Sequence, residues 1–188
     1  MTKYFFVTAI VMLITLGDMS IASAQSSVQN GFLNNRTTET VTTQPISLET
    51  PTGTLYGTLA LPQSRSRVPA VLIIAGSGPT DRDGNSPVFK GPNNSLKLLA
   101  EGLAAHGIAS VRYDKRGIGE TGKAMQLAAE KTTTVLREED LSFENFIDDA
   151  VRWGKQLRAD RRFSSLTVIG HSEGSLSLIH ISEPTRPY

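Results

Sequence analysis

The chain has 188 residues, 39% of them hydrophobic and 20% charged, with a formal net charge of +1. That composition excludes a disordered, collagen-like or coiled-coil protein, and the balanced charge points to neither nucleic acid nor an acidic solvated tail. There is no cysteine and there are three histidines, so disulfides, thiolate metal sites and a cysteine nucleophile are excluded, and a multi-histidine metal centre is not expected.

At the N-terminus, Lys3 precedes an apolar run from Tyr4 to Leu16, followed by the small-residue triplet Ala22-Ser23-Ala24. This is the pattern of a secretory signal peptide over residues 1–24, cleaved after Ala24. The run of 13 residues falls short of the roughly 20 that a spanning helix needs. The alternative is an uncleaved anchor. Export to the periplasm or beyond the cell is the expectation, with no stable membrane association after cleavage. Residues 25–44 are rich in Gln, Asn, Ser and Thr and read as a polar linker.

From Pro45 the pattern turns to β and then alternates with α. Ile46–Glu49 and Thr54–Leu61 flank Pro51-Thr52-Gly53 and predict a hairpin. Val68–Ala75 is almost continuously apolar, as in a strand buried on both faces, and ends in the loop Gly76-Ser77-Gly78-Pro79. Leu96, Leu99, Ala100 and Leu103 form one helical face, with Asn94 or Ser95 as cap and His106-Gly107 as the close. Ile108–Tyr113 is the next strand, followed by Asp114–Gly119. Residues 120–141 are polar and read as irregular or partly helical. A second helix starts after Ser142, with Phe143, Phe146, Ile147, Ala150, Val151 and Leu157 on its buried face. Its acidic residues come first and its basic residues last, which complements the helix dipole. Leu166–Ile169 is a third apolar strand, and Gly170-His171-Ser172-Glu173-Gly174 follows at once.

Beyond Ser175, Leu176–Arg186 reads as the translation of a transposase-end adapter of the kind used in sequencing libraries. On this reading residues 176–188 are a non-native tail and the chain is the N-terminal part of a longer gene product. A genuine strand-like tail is the alternative.

Strand and helix alternating through short connections imply right-handed crossovers and a mostly parallel sheet flanked by helices, with ligands bound at the carboxyl ends of the strands. Three glycine-bearing loops, Gly76–Pro79, Asp114–Gly119 and Gly170–Gly174, fall at those ends. Gly170-x-Ser172-x-Gly174 arises by chance in a chain of this length with a probability of roughly 0.06, so context must decide. It directly follows an apolar strand, where a nucleophile elbow belongs. The alternative is an ordinary turn of small residues. An acyl-transfer serine also needs donors for a developing oxyanion. In an elbow these are the N–H after the serine, here that of Glu173, and one from the loop after an earlier strand, here Ser77 with Gly78 as fallback. A phosphate-cradling role for Gly76-Ser77-Gly78 is disfavoured, because neither G-x-G-x-x-G nor a Gly-Lys-Ser/Thr ending is present.

Leu72–Asn85, Arg112–Gly119 and Ile169–Gly174 resemble, in that order, the corresponding segments of the α/β-hydrolase superfamily of serine hydrolases. They look most like exported bacterial esterases and serine aminopeptidase-like enzymes, over about Pro45 to Ser175. The resemblance implies the α/β-hydrolase fold, Ser172 as nucleophile, the N–H groups of Glu173 and Ser77 as oxyanion hole, and no cofactor or metal. It implies a small-molecule ester substrate, or a peptide or thioester. Ala75 stands where many members carry a histidine that is usually not catalytic. Asp114 and Arg116 match the D-x-R-G-x-G loop; they either contact substrate or, the favoured reading, anchor the loop structurally. Asp81, Arg82 and Asp83 either shape the mouth of the site or form a solvated turn.

In that superfamily the acid and the histidine follow the serine. Here only Glu173, His180 and Glu183 do, and His180 stands too close in the chain to return over the hydroxyl. His171 is a doubtful base because neighbours on a tight turn point apart, and His106 reads as a helix-end cap. The expectation is a secreted serine hydrolase whose 188-residue piece is inactive, since a serine without a base is a poor nucleophile at neutral pH. A non-catalytic binding protein on the same scaffold and a nucleotide-binding α/β domain are the competing readings.

Overall fold

Residues with β-branched and aliphatic side chains dominate the segments that become strands, and the sheet they build explains why one of those segments is apolar almost throughout. The computed structural model describes residues 41–131 and 138–177. The signal-peptide and tail readings, save for 176–177, lie outside the described residues.

The elements run β1 (Thr42–Thr50), β2 (Gly53–Leu61), β3 (Val68–Ile74), α1 (Ser95–Ala105), β4 (Ala109–Tyr113), α2 (Gly119–Ala129), a short 3-10 turn, α3 (Phe143–Ala159) and β5 (Phe163–Gly170). The sheet order is β1-β2-β4-β3-β5. The two pairings that β2 makes, with β1 and with β4, are antiparallel, while β3 pairs in parallel with both β4 and β5. Hence β1, β3, β4 and β5 point one way and β2 alone points back. The sheet is mixed in its ladders although most of its strands share a direction.

β1 begins at Thr42, inside the segment expected to be linker. Thr42, Thr43 and Gln44 pair with Leu61, Ala60 and Leu59, so the ladder with β2 claims three polar residues that composition alone assigns to a loose arm. The segment expected to be irregular or partly helical contains α2, whose sequence GETGKAMQLAA carries two glycines and little apolar periodicity. Gly122 is required there by crowding: a Cβ would stand 2.4 Å from the Gly117 carbonyl carbon.

The pleat of β3 separates two cores. Ala70, Leu72 and Ile74 face a cluster containing Leu55, Leu59, Val111, Tyr113 and, from α3, Ala150, Trp153 and Leu157. Val71 and Ile73 face the other side, against Leu96 and Ala100 of α1. Helices on both faces explain the continuous apolar run of β3, since neither set of side chains can be polar. Trp153 is the largest fully buried side chain and lies with its ring 5.5 Å from that of Tyr113, a pairing that adds about 1 kcal/mol to the burial itself.

The helix ends follow the sequence in part. Ser142 caps α3, donating its N–H to Asn145 Oδ1 at 2.8 Å. Gly107 takes the left-handed conformation after α1 (φ 77°), and His106 Nδ1 lies 2.8 Å from the Gly102 carbonyl. At the start of α1 the expected side-chain cap is absent. Asn94 is instead bonded to Asn85, and the N–H groups of Leu96 and Lys97 donate to the Asp83 carbonyl.

Candidate active site

Three parallel strands ending on one edge place three loops side by side: 75–79 after β3, 114–118 after β4 and 171–174 after β5. The last of these is a sharp bend. His171 donates its N–H to the Ile74 carbonyl, which prolongs the β3–β5 ladder by one bond, and the chain then turns into a helical segment over 174–177. Ser172 sits at the apex with φ 52°, and Asn94 is the only other non-glycine residue at positive φ among the described residues. A β-substituted residue held in this region stores on the order of 1 kcal/mol or more and persists only where the surroundings enforce it. The side chain so presented is exposed to solvent.

The surroundings that enforce it are the two flanking glycines. A Cβ on Gly170 would lie 2.3 Å from the Gly174 carbonyl oxygen, and one on Gly174 would lie 2.6 Å from the Ile74 carbonyl oxygen. Backbone passes backbone at both points, so only glycine fits. The bend is then tied by Gly174 N–H to the His171 carbonyl and Ser175 N–H to the Ser172 carbonyl, each at 2.9 Å.

The expected oxyanion loop lies against this bend. A Cβ on Gly76 would be 3.1 Å from Ser172 Cβ and 2.9 Å from His171 Nδ1. The structure thus brings the Gly76-Ser77 turn and the elbow into contact. The N–H groups of Ser77 and Glu173 donate to no group among the described residues, whereas the N–H groups of Gly174, Ser175 and Leu176 are all used within the bend. His171 packs on Gly76, and neither its ring nor the Ser172 hydroxyl forms a hydrogen bond among the described residues.

Behind the bend lies Lys115, which the sequence pattern did not single out. It is buried, its Nζ donates to the Gly76 carbonyl, and it rests 5.8 Å from the Phe146 ring centroid. Burial pushes this ammonium below the ordinary lysine range, and the Glu173 carboxylate partly opposes the shift.

Asp114, Arg116 and the charged turn 81–83 are tied into the scaffold by hydrogen bonds and ion pairs. Asp114 is buried and accepts from Arg82 N (2.8 Å), Arg82 Nε (3.1 Å) and Glu120 N (2.9 Å), so it fastens the 81–85 turn to the start of α2. Arg116 makes a two-pronged pair with Asp149 of α3 at 2.7 and 2.8 Å, both side chains being buried. Desolvation raises the Asp149 pKa, and the Arg116 guanidinium holds it back. Asp83 pairs with the buried Arg112 at 2.8 Å, and Asp81 Oδ1 accepts from the N–H groups of Asp83 and Asn85. The Asp81-Arg82-Asp83 turn is therefore a latch of ion pairs rather than a solvated turn. Beside it an open groove, lined by Pro79, Asn85, Phe89, Pro92, Ile118 and Lys123, runs along the same edge of the sheet.

This geometry agrees with what the chain is similar to. No protein-family model matches it. Esterase EstD of Thermotoga maritima is 32% identical over 132 residues, which cover 70% of this chain and 28% of that protein. Among solved structures, the serine hydrolase XC6422 of Xanthomonas campestris, described as lacking a lid, superposes with a TM-score of 0.50 at 20% identity, over 76% of this chain and 56% of that one. A cold-adapted esterase from an Arctic intertidal metagenomic library gives 0.53 at 18% identity, over 77% and 56%. A serine hydrolase homologue from Coxiella burnetii gives 0.51 at 15% identity, over 76% and 58%. The likeness to these solved structures shows that the chain has the α/β-hydrolase fold. The chain spans under a third of the curated relative's length and somewhat over half that of these structural neighbours.

Proposed function

We propose that the gene product is an exported serine hydrolase that cleaves esters through an acyl-enzyme on Ser172. The observation that carries this reading is the positive φ of Ser172 between two glycines that admit no side chain, with the hydroxyl left exposed beside the Gly76-Ser77 turn. Nothing in packing calls for a serine in a strained conformation there; presentation of a nucleophile does. The similarity to an esterase favours a carboxylic ester over a peptide or thioester as substrate.

In the proposed reaction the Ser172 hydroxyl attacks the ester carbonyl and its proton passes to a histidine base. The oxyanion is held by the N–H groups of Ser77 and Glu173. The tetrahedral species collapses with loss of the alcohol, which takes the proton back. Water then attacks the acyl-serine in the same way and releases the acid. The chemistry calls for no metal or organic cofactor. His106 sits at the end of α1 bonded to a carbonyl and His171 packs on Gly76. The base and its carboxylate partner are assigned to residues downstream of Ser175 in the intact gene product, and the 188-residue chain is proposed to be inactive.

The test is hydrolysis of p-nitrophenyl acetate. The product of the uninterrupted gene is expected to turn over, with Ser172→Ala lowering kcat/KM by at least about 10⁴-fold. The 188-residue chain is expected to show no Ser172-dependent turnover. An intact product without activity, or one indifferent to Ser172→Ala, would favour the non-catalytic binding protein.

A further inference from the structure

The Gly76–Ser77 peptide carries two groups of opposite use. Its N–H is the expected oxyanion donor, and its carbonyl oxygen accepts a hydrogen bond from the ammonium of Lys115. The peptide is trans, as are all peptides among the described residues, so carbonyl and N–H point in opposite directions across one rigid plane. Whatever holds the carbonyl therefore fixes the direction of the N–H. Gly76 supplies little restraint of its own, having no side chain. Ser77 and Gly78 are exposed, and Gly78 is at φ 66°.

Lys115 is placed to supply that restraint. It follows β4 directly, in a loop anchored on both sides by the buried Asp114 and Arg116. Its side chain lies under the elbow in a small cavity walled by Ile74, Tyr113, Phe143, Phe146 and Gly174. The cavity also meets Glu173, whose carboxylate is the acidic group felt by this ammonium. Among the described residues this buried charge meets a carbonyl, a ring face and one carboxylate; burying it is costly, and a structural lysine would more simply reach solvent. A charge-assisted bond to a carbonyl also polarises the peptide, which strengthens its N–H as a donor.

We infer that Lys115 is a positioning residue for catalysis: by gripping the Gly76 carbonyl from beneath, its ammonium orients and polarises the Ser77 N–H toward the oxyanion formed at Ser172. This rests on the hydrolase reading above and deepens it. Lys115 touches no reacting atom. Its contribution grows as negative charge develops on the substrate oxygen, so its loss lowers kcat and leaves KM for a neutral ester nearly unchanged.

The experiment compares the intact gene product with Ser172→Ala, Lys115→Met and Lys115→Cys, the last before and after alkylation in denaturant with 2-bromoethylamine and refolding. Alkylation rebuilds an ammonium at the lysine position, and residues 1–188 hold no cysteine to compete. The expected result is a fall in kcat of about 10- to 100-fold for Lys115→Met, with KM within about twofold and recovery of most of the rate in the alkylated Lys115→Cys protein. Should Lys115→Met fail to fold, the Cys pair decides alone. A kcat within twofold of the parent, a loss confined to KM, or no recovery on alkylation would overturn the inference while the Ser172→Ala control remained dead. Activity surviving Ser172→Ala would instead overturn the hydrolase reading itself.

Discussion

Gly170→Ala is the substitution that most directly probes the enforced bend. The added Cβ would meet the Gly174 carbonyl oxygen at 2.3 Å, its carbon at 2.4 Å and the Ser175 nitrogen at 2.6 Å. All three are backbone atoms, so no rotamer change relieves the contact. The nearest pair must open from 2.3 Å to at least 3.0 Å, a shift of about 0.7 Å between strand β5 and the helical segment beyond the serine. Overpacking of this kind costs about 1–3 kcal/mol. In a chain of this size each kcal/mol moves the thermal midpoint by about 2–4 °C, so the midpoint should fall by about 2–12 °C. In the intact gene product the same displacement moves Ser172 away from the Gly76-Ser77 turn and should lower kcat by about 100-fold. Gly102→Ala is the matched control. Gly102 lies exposed in α1 with nothing within 4 Å of the new Cβ, and alanine there should stabilise by about 0.5–1 kcal/mol. Scanning calorimetry on both variants with activity on the first checks the pair. A Gly170→Ala protein as stable and active as its parent would refute the argument that backbone contact, not habit, selects glycine at that position.

Other substitutions test the scaffold that holds the site. Asp149→Ala leaves the buried Arg116 guanidinium without its carboxylate and should cost about 3–5 kcal/mol by urea denaturation, while the double change Arg116→Met with Asp149→Leu should recover most of that. Tyr113 is buried, and desolvation, aided by the Asp149 charge, raises its pKa well above the ordinary value of 10.0. Its neutral form contributes stability in full below pH 10. That stability is lost as pH rises toward the folded-state value, because the unfolded chain ionises first. Tyr113→Phe should flatten this alkaline decline in a pH series of denaturation midpoints, and an unchanged slope would show that another group causes it.

What the sequence made legible follows from local chemistry. The continuous apolar run of β3, the capping serine of α3 and the glycine after α1 are each written in adjacent residues, and the structure places them accordingly. Ser172 and Gly76-Ser77 can be paired from the sequence because parallel strands end on one edge, and in the structure the two loops lie against each other. The missed features depend on distant partners. The Arg116–Asp149 pair joins residues 33 apart, and Arg82–Asp114 joins residues 32 apart. Charge in a sequence reveals neither partner nor burial. Asp149 and Trp153 were absent from the expected buried face of α3: an aspartate is not read as core, and the tryptophan was passed over although it stands three residues after Ala150. The segment holding α2 reads only as irregular or partly helical because of its glycines, one of which is demanded by packing against Gly117 rather than by the helix. Lys115 gave no signal at all, since a lysine beside an aspartate and an arginine looks like surface.

The central claim is that the residue at the apex of the bend is a nucleophile. Its most direct test is incubation of the intact gene product with a fluorophosphonate, followed by digestion and mass spectrometry. The account predicts one stoichiometric phosphonyl adduct on the peptide bearing Ser172, absent from Ser172→Ala. An adduct on a different serine, or ester hydrolysis that continues with Ser172 unlabelled, would contradict it.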